Sequence, residues 1–253
     1  AGYAGLLHYN RGRNGEPTMP PTQIGDLAGG SFMAVIGILT ALMGRAQSGE
    51  GRMVDVSMTE GVMALLPTAA TTYLSMGVAP APGKGALDGG LPCYNIYETQ
   101  DGKHVTLGAL EYKFWHTFCT RIGHLELLPF HAPVGPGERE EAIEMLRAIF
   151  KTKTRDEWLT ELADIDGCLG PVYTLEEALN DPHAVERGTS VTAQVSSEDE
   201  RRFRTLPSLP RISGVEQEQR YPPPTLGEHT DALLAEVGYS QAEIEQMRTG
   251  GVI

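Results

Sequence analysis

The chain has 253 residues, 41% of them hydrophobic and 21% charged, with a formal net charge of −13 at pH 7. This composition supports one large domain or two modest ones and excludes a disordered chain. The acidic balance, spread through helical stretches such as EREEAIEM, reads as a solvated surface and argues against a nucleic-acid partner.

Cys93, Cys119 and Cys168 show no CxxC spacing, so neither a disulfide framework nor a metal site is suggested. With no unbroken apolar run of about 18 residues and no signal-peptide pattern, the expectation is a soluble, cytoplasmic protein that does not engage a membrane.

Residues 1–25 are rich in Gly, Pro and Arg and predict a loop. From Leu27 to about Ala46 the chain is apolar on nearly all faces, which predicts a buried helix with Asp26 at its start. After the SGEG turn, Met53, Val54 and Val56 predict a short strand, and Thr59 opens a second apolar helix through Leu74. Residues 77–92 hold three prolines and five glycines, a connection between domains. The run CYNIYETQDGKHVTLGAL predicts a hairpin turning at Asp101-Gly102. Helical periods follow in EYKFWHTFCTRIG, EREEAIEMLRAIF, TRDEWLTELAD and TLEEALNDP, so residues 90–190 read as a small α+β domain. Val191 to Tyr221 predicts a mixed segment over the surface. Two short helices close the chain, the first stopped by Gly238 and the second opened by a Ser240/Glu243 capping box.

The stretch GVAPAPGKG fails as a phosphate loop, because Gly85 stands where Ser or Thr is required. There is no GxGxxG after a strand, no HExxH, and no ligand spacing among the histidines. Two carboxylates remain. Asp26 is most simply a helix N-cap, while a carboxylate at the mouth of an apolar helix can also face a cleft with a tuned pKa. Glu111 opens a helix after a strand and has the same two readings.

The stretches IGDLAGGSFMAVIGILTALMGRAQSGEGRMVDVSMTEG, LDGGLPCYNIYETQDGKHVTLGALEYKFW and GEHTDALLAEVGYSQAEI, in this order, resemble the family III CoA transferases of CaiB/BaiF type, and within them the α-methylacyl-CoA racemases. The resemblance implies an α/β fold with part of a Rossmann-like large domain, a small α+β domain and an interlocked dimer. Residues 1–85 would belong to the large domain, 86–190 to the small domain, and 191–253 would return to the large one. It implies Asp26 as the active-site carboxylate, Glu111 as a second catalytic residue, and Tyr94, Leu87 and Leu110 as substrate-binding residues, with Asp26 and Glu111 meeting across subunits.

No cofactor is implied beyond the coenzyme A thioester that is the substrate. Partners are acyl-CoA and a second copy of the chain, or a chain carrying the N-terminal half. The histidine of the racemases lies about thirty residues ahead of this aspartate, and His8 does not match it. The resemblance therefore implies the C-terminal part of a family member.

Three readings follow. One is a racemase moving the α-proton of a 2-methylacyl-CoA through an enolate, with Asp26 serving one face of the carbon and Glu111 supporting the histidine on the other. Another is a CoA transferase in which Asp26 attacks the thioester. The third is a subunit inactive without an N-terminal partner.

Overall fold

The computed structural model describes residues 1–11, 15–132, 135–215 and 222–253, which divide into two compact units, Ala1–Val172 and Tyr173–Ile253. In the first unit, the segment expected to be a loop holds a one-turn helix, α1 (Leu6–Tyr9). Residues 12–14 of that segment lie outside the described residues.

A long helix follows. Its first part, Gly25–Phe32, winds with the wide turns of a π-helix, and α2 (Met33–Ser48) continues it to Gly49, whose φ of 75° ends it in the left-handed region. Next come α3 (Met58–Ala64) and α4 (Pro67–Met76). Ser57, and not Thr59, caps α3, its side chain accepting the Glu60 N–H. The single helix expected to Leu74 is broken at Leu65-Leu66, with Pro67 at the first position of α4, where the missing N–H costs nothing.

The glycines of the AGG step have a steric purpose. A Cβ on Gly61 of α3 would stand 2.1 Å from the Gly29 carbonyl oxygen, and one on Gly29 would stand 2.8 Å from the Met58 carbonyl oxygen. The two helices cross backbone to backbone, and only glycine allows it.

Two expectations for this region are corrected. The apolar helix is not buried: no residue of α2 is, and Ile36, Leu39 and Met43 are 59%, 55% and 70% exposed on one stripe. More than half of each of these residues' surface is open in this chain. Gly25–Ser48, 24 residues, is long and apolar enough by length and composition to cross a membrane. The strand expected at Met53–Val56 does not form. That stretch has no regular structure, and no described strand pairs with it.

The core lies further along. β1 (Tyr94–Glu98) and β2 (His104–Gly108) pair in the predicted antiparallel hairpin, Tyr94 opposite Gly108 and Glu98 opposite His104. A short strand that the sequence did not signal, β3 (Leu169–Pro171), adds to β2. Val105 and Leu107 point inward and His104 and Thr106 outward, the period-two pattern of a half-covered sheet.

Against the inner face pack α5 (Tyr112–Ile122), a 3₁₀ turn (Leu125–His131), α6 (Pro136–Phe150) and α7 (Arg155–Glu161). Trp115, Phe118, Leu127, Leu146, Phe150 and Trp158 join Tyr97 and Leu107 in one cluster. Phe150 is its centre, stacked on Tyr97 at 5.0 Å between ring centroids and edge-on to Trp158 at 5.3 Å. The indole N–H groups are satisfied, Trp158 by the Phe150 carbonyl at 3.0 Å and Trp115 by the Leu128 carbonyl at 3.3 Å.

The second unit begins with α8 (Leu175–Asn180) and α9 (Pro182–Glu186). The tail expected to be mixed contains a hairpin, β4 (Val191–Gln194) with β5 (Arg202–Thr205); its end, residues 216–221, lies outside the described residues. α10 (Thr230–Glu236) and α11 (Gln241–Thr249) follow as predicted. The Ser240/Glu243 box is formed, with Glu243 Oε2 accepting the Ser240 N–H at 2.8 Å.

Candidate active-site cleft

A cleft of about 780 Å³ opens on the first unit, within the roughly 300–1,000 Å³ typical of small-molecule sites. One wall is the hairpin: Tyr94, Asn95 and Ile96 from β1, Thr106 and Gly108 from β2. The glycine-rich loop lines the cleft as well, with Leu87, Asp88 and Gly89. Arg11 stands at the rim, its guanidinium 2.9 Å from His8 Nδ1 and 3.0 Å from the Gly15 carbonyl that it donates to.

Cys168 also lines the cleft, at a positive φ of 53° that a side chain rarely adopts. Burial, reinforced by the negative charges of Asp166 and Glu111, pushes its thiol above the ordinary range, so it stays protonated and is a poor nucleophile. Cys93 and Cys119, pushed by burial to about 11 and about 12, are inert core groups.

The expected site residues fall in different places. Tyr94 and Leu87 both line the cleft. Glu111 is exposed at the N-cap position of α5 without a side-chain capping bond, and its charge is felt at Cys168 on the cleft floor. Leu110 does not line the cleft. It packs against the hydrophobic core, and its carbonyl meets the His131 ring.

Asp26 does not line the cleft either, nor is it the N-cap. The helix begins earlier, with the Gln23 carbonyl accepting the Leu27 N–H at 2.9 Å and Ile24 at the cap. Asp26 sits in the first, wide turn, exposed, where a negative charge suits the helix dipole. Its carbonyl accepts the Ser31 hydroxyl at 2.8 Å, while its carboxylate has no hydrogen-bond partner among the described residues. Wide turns of this kind concentrate at functional sites. An unengaged carboxylate on such a turn can take a proton or attack a carbonyl.

Asn95 and Asp88 are cleft residues that the sequence did not point to. Their bonds, described below, join positions set by the tertiary fold. Among the described residues no group of His, Cys, Asp and Glu is arranged to hold a metal.

The first unit thus holds an antiparallel hairpin and its helices bearing a ligand-sized cleft, and a helix whose aspartate carboxylate has no hydrogen-bond partner among the described residues, in a mixed α/β fold. Residues 1–230 match CoA-transferase family III, and the chain belongs to that family. It is similar to α-methylacyl-CoA racemase of Mus musculus, 35% identical over 252 residues that cover 96% of this chain and 62% of that protein. It is also similar to succinyl-CoA:glutarate CoA-transferase of Mus musculus, 26% identical and covering 99% of this chain and 57% of that protein. In structure it resembles a CAIB/BAIF family protein from Brucella suis, with a TM-score of 0.70 and 24% identity over 93% of this chain and 61% of that one. The chain thus spans about 62% of the length of the racemases that it matches.

Proposed function

We propose that the protein acts on acyl-CoA thioesters as an epimerase at the α-carbon, with a 2-methylacyl group as substrate. The supporting observation is the graded likeness: 35% identity to a racemase against 26% to a transferase, each over nearly the whole chain. The thioester carbonyl acidifies the α-hydrogen, Asp26 serves as acid and base on one face, and a second group serves the other. Helix N-terminal amides hold the enolate oxygen. No cofactor is needed, since coenzyme A arrives as part of the substrate.

Within the described residues of one chain no side chain forms a hydrogen bond or ion pair with the Asp26 carboxylate. The second group is therefore brought by assembly, either with another copy, whose Glu111 would support it, or with a chain that completes the length of the relatives. Asp26 as a nucleophile, as in a CoA transferase, is the competing chemistry, and its carboxylate is free enough for that role.

One experiment separates the two. The assembled protein is incubated with 2-methylacyl-CoA in D₂O, then treated with hydroxylamine. Deuterium at the α-carbon with an unmodified Asp26 is the expected result. An Asp26 hydroxamate without α-exchange would establish acyl transfer instead, because only a covalent aspartyl intermediate can be trapped.

A further inference from the structure

The loop that carries Leu87 is closed on itself. The Gly83 N–H donates to Asp88 Oδ2 at 2.9 Å, and the Gly90 N–H to the Gly85 carbonyl at 3.0 Å. Gly89 has a φ of 95°, and a Cβ on Gly90 would stand 2.4 Å from the Lys84 carbonyl, so the two adjacent glycines are required by the path of the chain.

Asn95, next to Tyr94 on β1, ties this loop to the sheet. Its Nδ2 donates to the Gly89 carbonyl at 2.7 Å and, at 3.5 Å, faces the Leu91 carbonyl. Its Oδ1 accepts the Ile96 N–H at 2.8 Å, which fixes the amide in that orientation. On the loop's outer side the Lys84–Glu140 ion pair is solvent-exposed and adds little.

We infer that Asn95 is a positioning residue: by strapping the loop to β1 it sets the distance between Leu87 and Tyr94, and so selects which acyl group the cleft accepts. This rests on the acyl-CoA reading above. Asn95 itself does not take part in proton transfer. A cleft whose two walls are fixed discriminates by fit, whereas a loose wall accommodates several shapes at similar cost.

The test uses Asn95→Leu, which keeps the branched shape at a somewhat larger volume and loses the donor, and Asn95→Asp, which places an acceptor against the Gly89 carbonyl. In the assembled enzyme, kcat and KM for α-hydrogen exchange are measured with 2-methyl-branched and linear acyl-CoA. The loss of one hydrogen bond predicts about a tenfold fall in the ratio of kcat/KM between the two substrates, carried by KM. A purely structural role would lower kcat for both substrates equally and leave their ratio unchanged, which overturns the inference.

Hydrogen exchange on the 253-residue chain gives a second readout that needs no activity. Amides of Gly83 and Gly90 should lose protection in both variants while Val105 and Leu107 keep theirs. Loop protection equal to that of the parent overturns the strap. An unmutated assembly that turns over no acyl-CoA defeats the functional reading alone, and the exchange data still decide the strap.

Discussion

The imidazole Nε2 of His131 lies 2.7 Å from the carbonyl oxygen of Leu110, the residue immediately before Glu111. A carbonyl can only accept, so the ring carries its proton on Nε2. The same ring is edge-on to Tyr112 at 5.4 Å and tilted against Trp115 at 6.4 Å. The 3₁₀ turn thereby holds the entry to α5, where Glu111 sits. His131→Phe, which keeps the ring contacts and drops the bond, should lower unfolding free energy by about 1–3 kcal/mol, because the Leu110 carbonyl loses its donor. Urea denaturation checks this, and a midpoint equal to the parent's would mean that the bond contributes nothing.

The Gly29–Gly61 crossing should tolerate no side chain. In Gly61→Ala the new methyl meets a backbone oxygen, not the flexible end of a side chain, so α3 must move away from the helix that bears Asp26. Overpacking of this kind costs about 1–3 kcal/mol or more. The expected outcome is a lowered thermal midpoint together with faster amide exchange at Gly29 and Gly30. Normal stability with unchanged exchange would refute the close approach.

Phe150 and Met43 form a contrasting pair. Phe150 is fully buried between Tyr97 and Trp158, and Phe150→Ala should cost about 3–5 kcal/mol. Met43, 70% exposed on α2, should cost under about 0.5 kcal/mol when changed to Ala in the isolated chain. If Met43→Ala instead proves strongly destabilising in solution, the stripe on α2 is covered there, and sedimentation would show by what mass.

At the hairpin turn the Thr99 hydroxyl donates to Asp101 at 2.6 Å. This bond, ahead of the backbone N–H groups of Arg155 and Lys103, holds the Asp101 carboxyl below its ordinary range. A carboxyl lowered in the folded state adds stability that is present above its unfolded pKa of about 3.9 and fades as pH falls through the lower folded value. Asp101→Ala should therefore destabilise the chain at pH 7, and its deficit should shrink below about pH 4. A deficit independent of pH would show that the turn, and not the charge, is what the aspartate supplies.

The parts of the fold legible in the sequence are those decided locally. Asp101-Gly102 places a turn whatever surrounds it, and Ser240 with Glu243 closes its own box. What escaped was decided by distant partners. The apolar stripe of α2 promised burial that no described residue provides, and Val54 and Val56 promised a strand that finds no ladder. Asp26 resembled a cap because the helix was assumed to start at the apolar run, whereas it starts at Ile24. In the cleft, Leu87 and Tyr94 came from family likeness, and the Asn95 strap could be seen only once Gly89 lay beside it. Leu110 came from the same likeness; in this chain it packs against the hydrophobic core and not along the cleft.

The wide-turn segment Gly25–Phe32 carries a further consequence. Its hydrogen bonds span five residues instead of four, so it stores the slack of an inserted residue, and its pitch sets the compass bearing of the Asp26 carboxylate relative to the glycine seam. Deleting one residue there would let the segment relax to an ordinary α-helix without breaking it. Because the wide turns had absorbed the extra residue, Asp26 would then keep nearly the same bearing on α2 and lose only the open backbone around it. The helix would survive such a deletion with its aspartate aimed much as before, so what a shorter segment gives up is the wide turn itself and not the direction of the carboxylate.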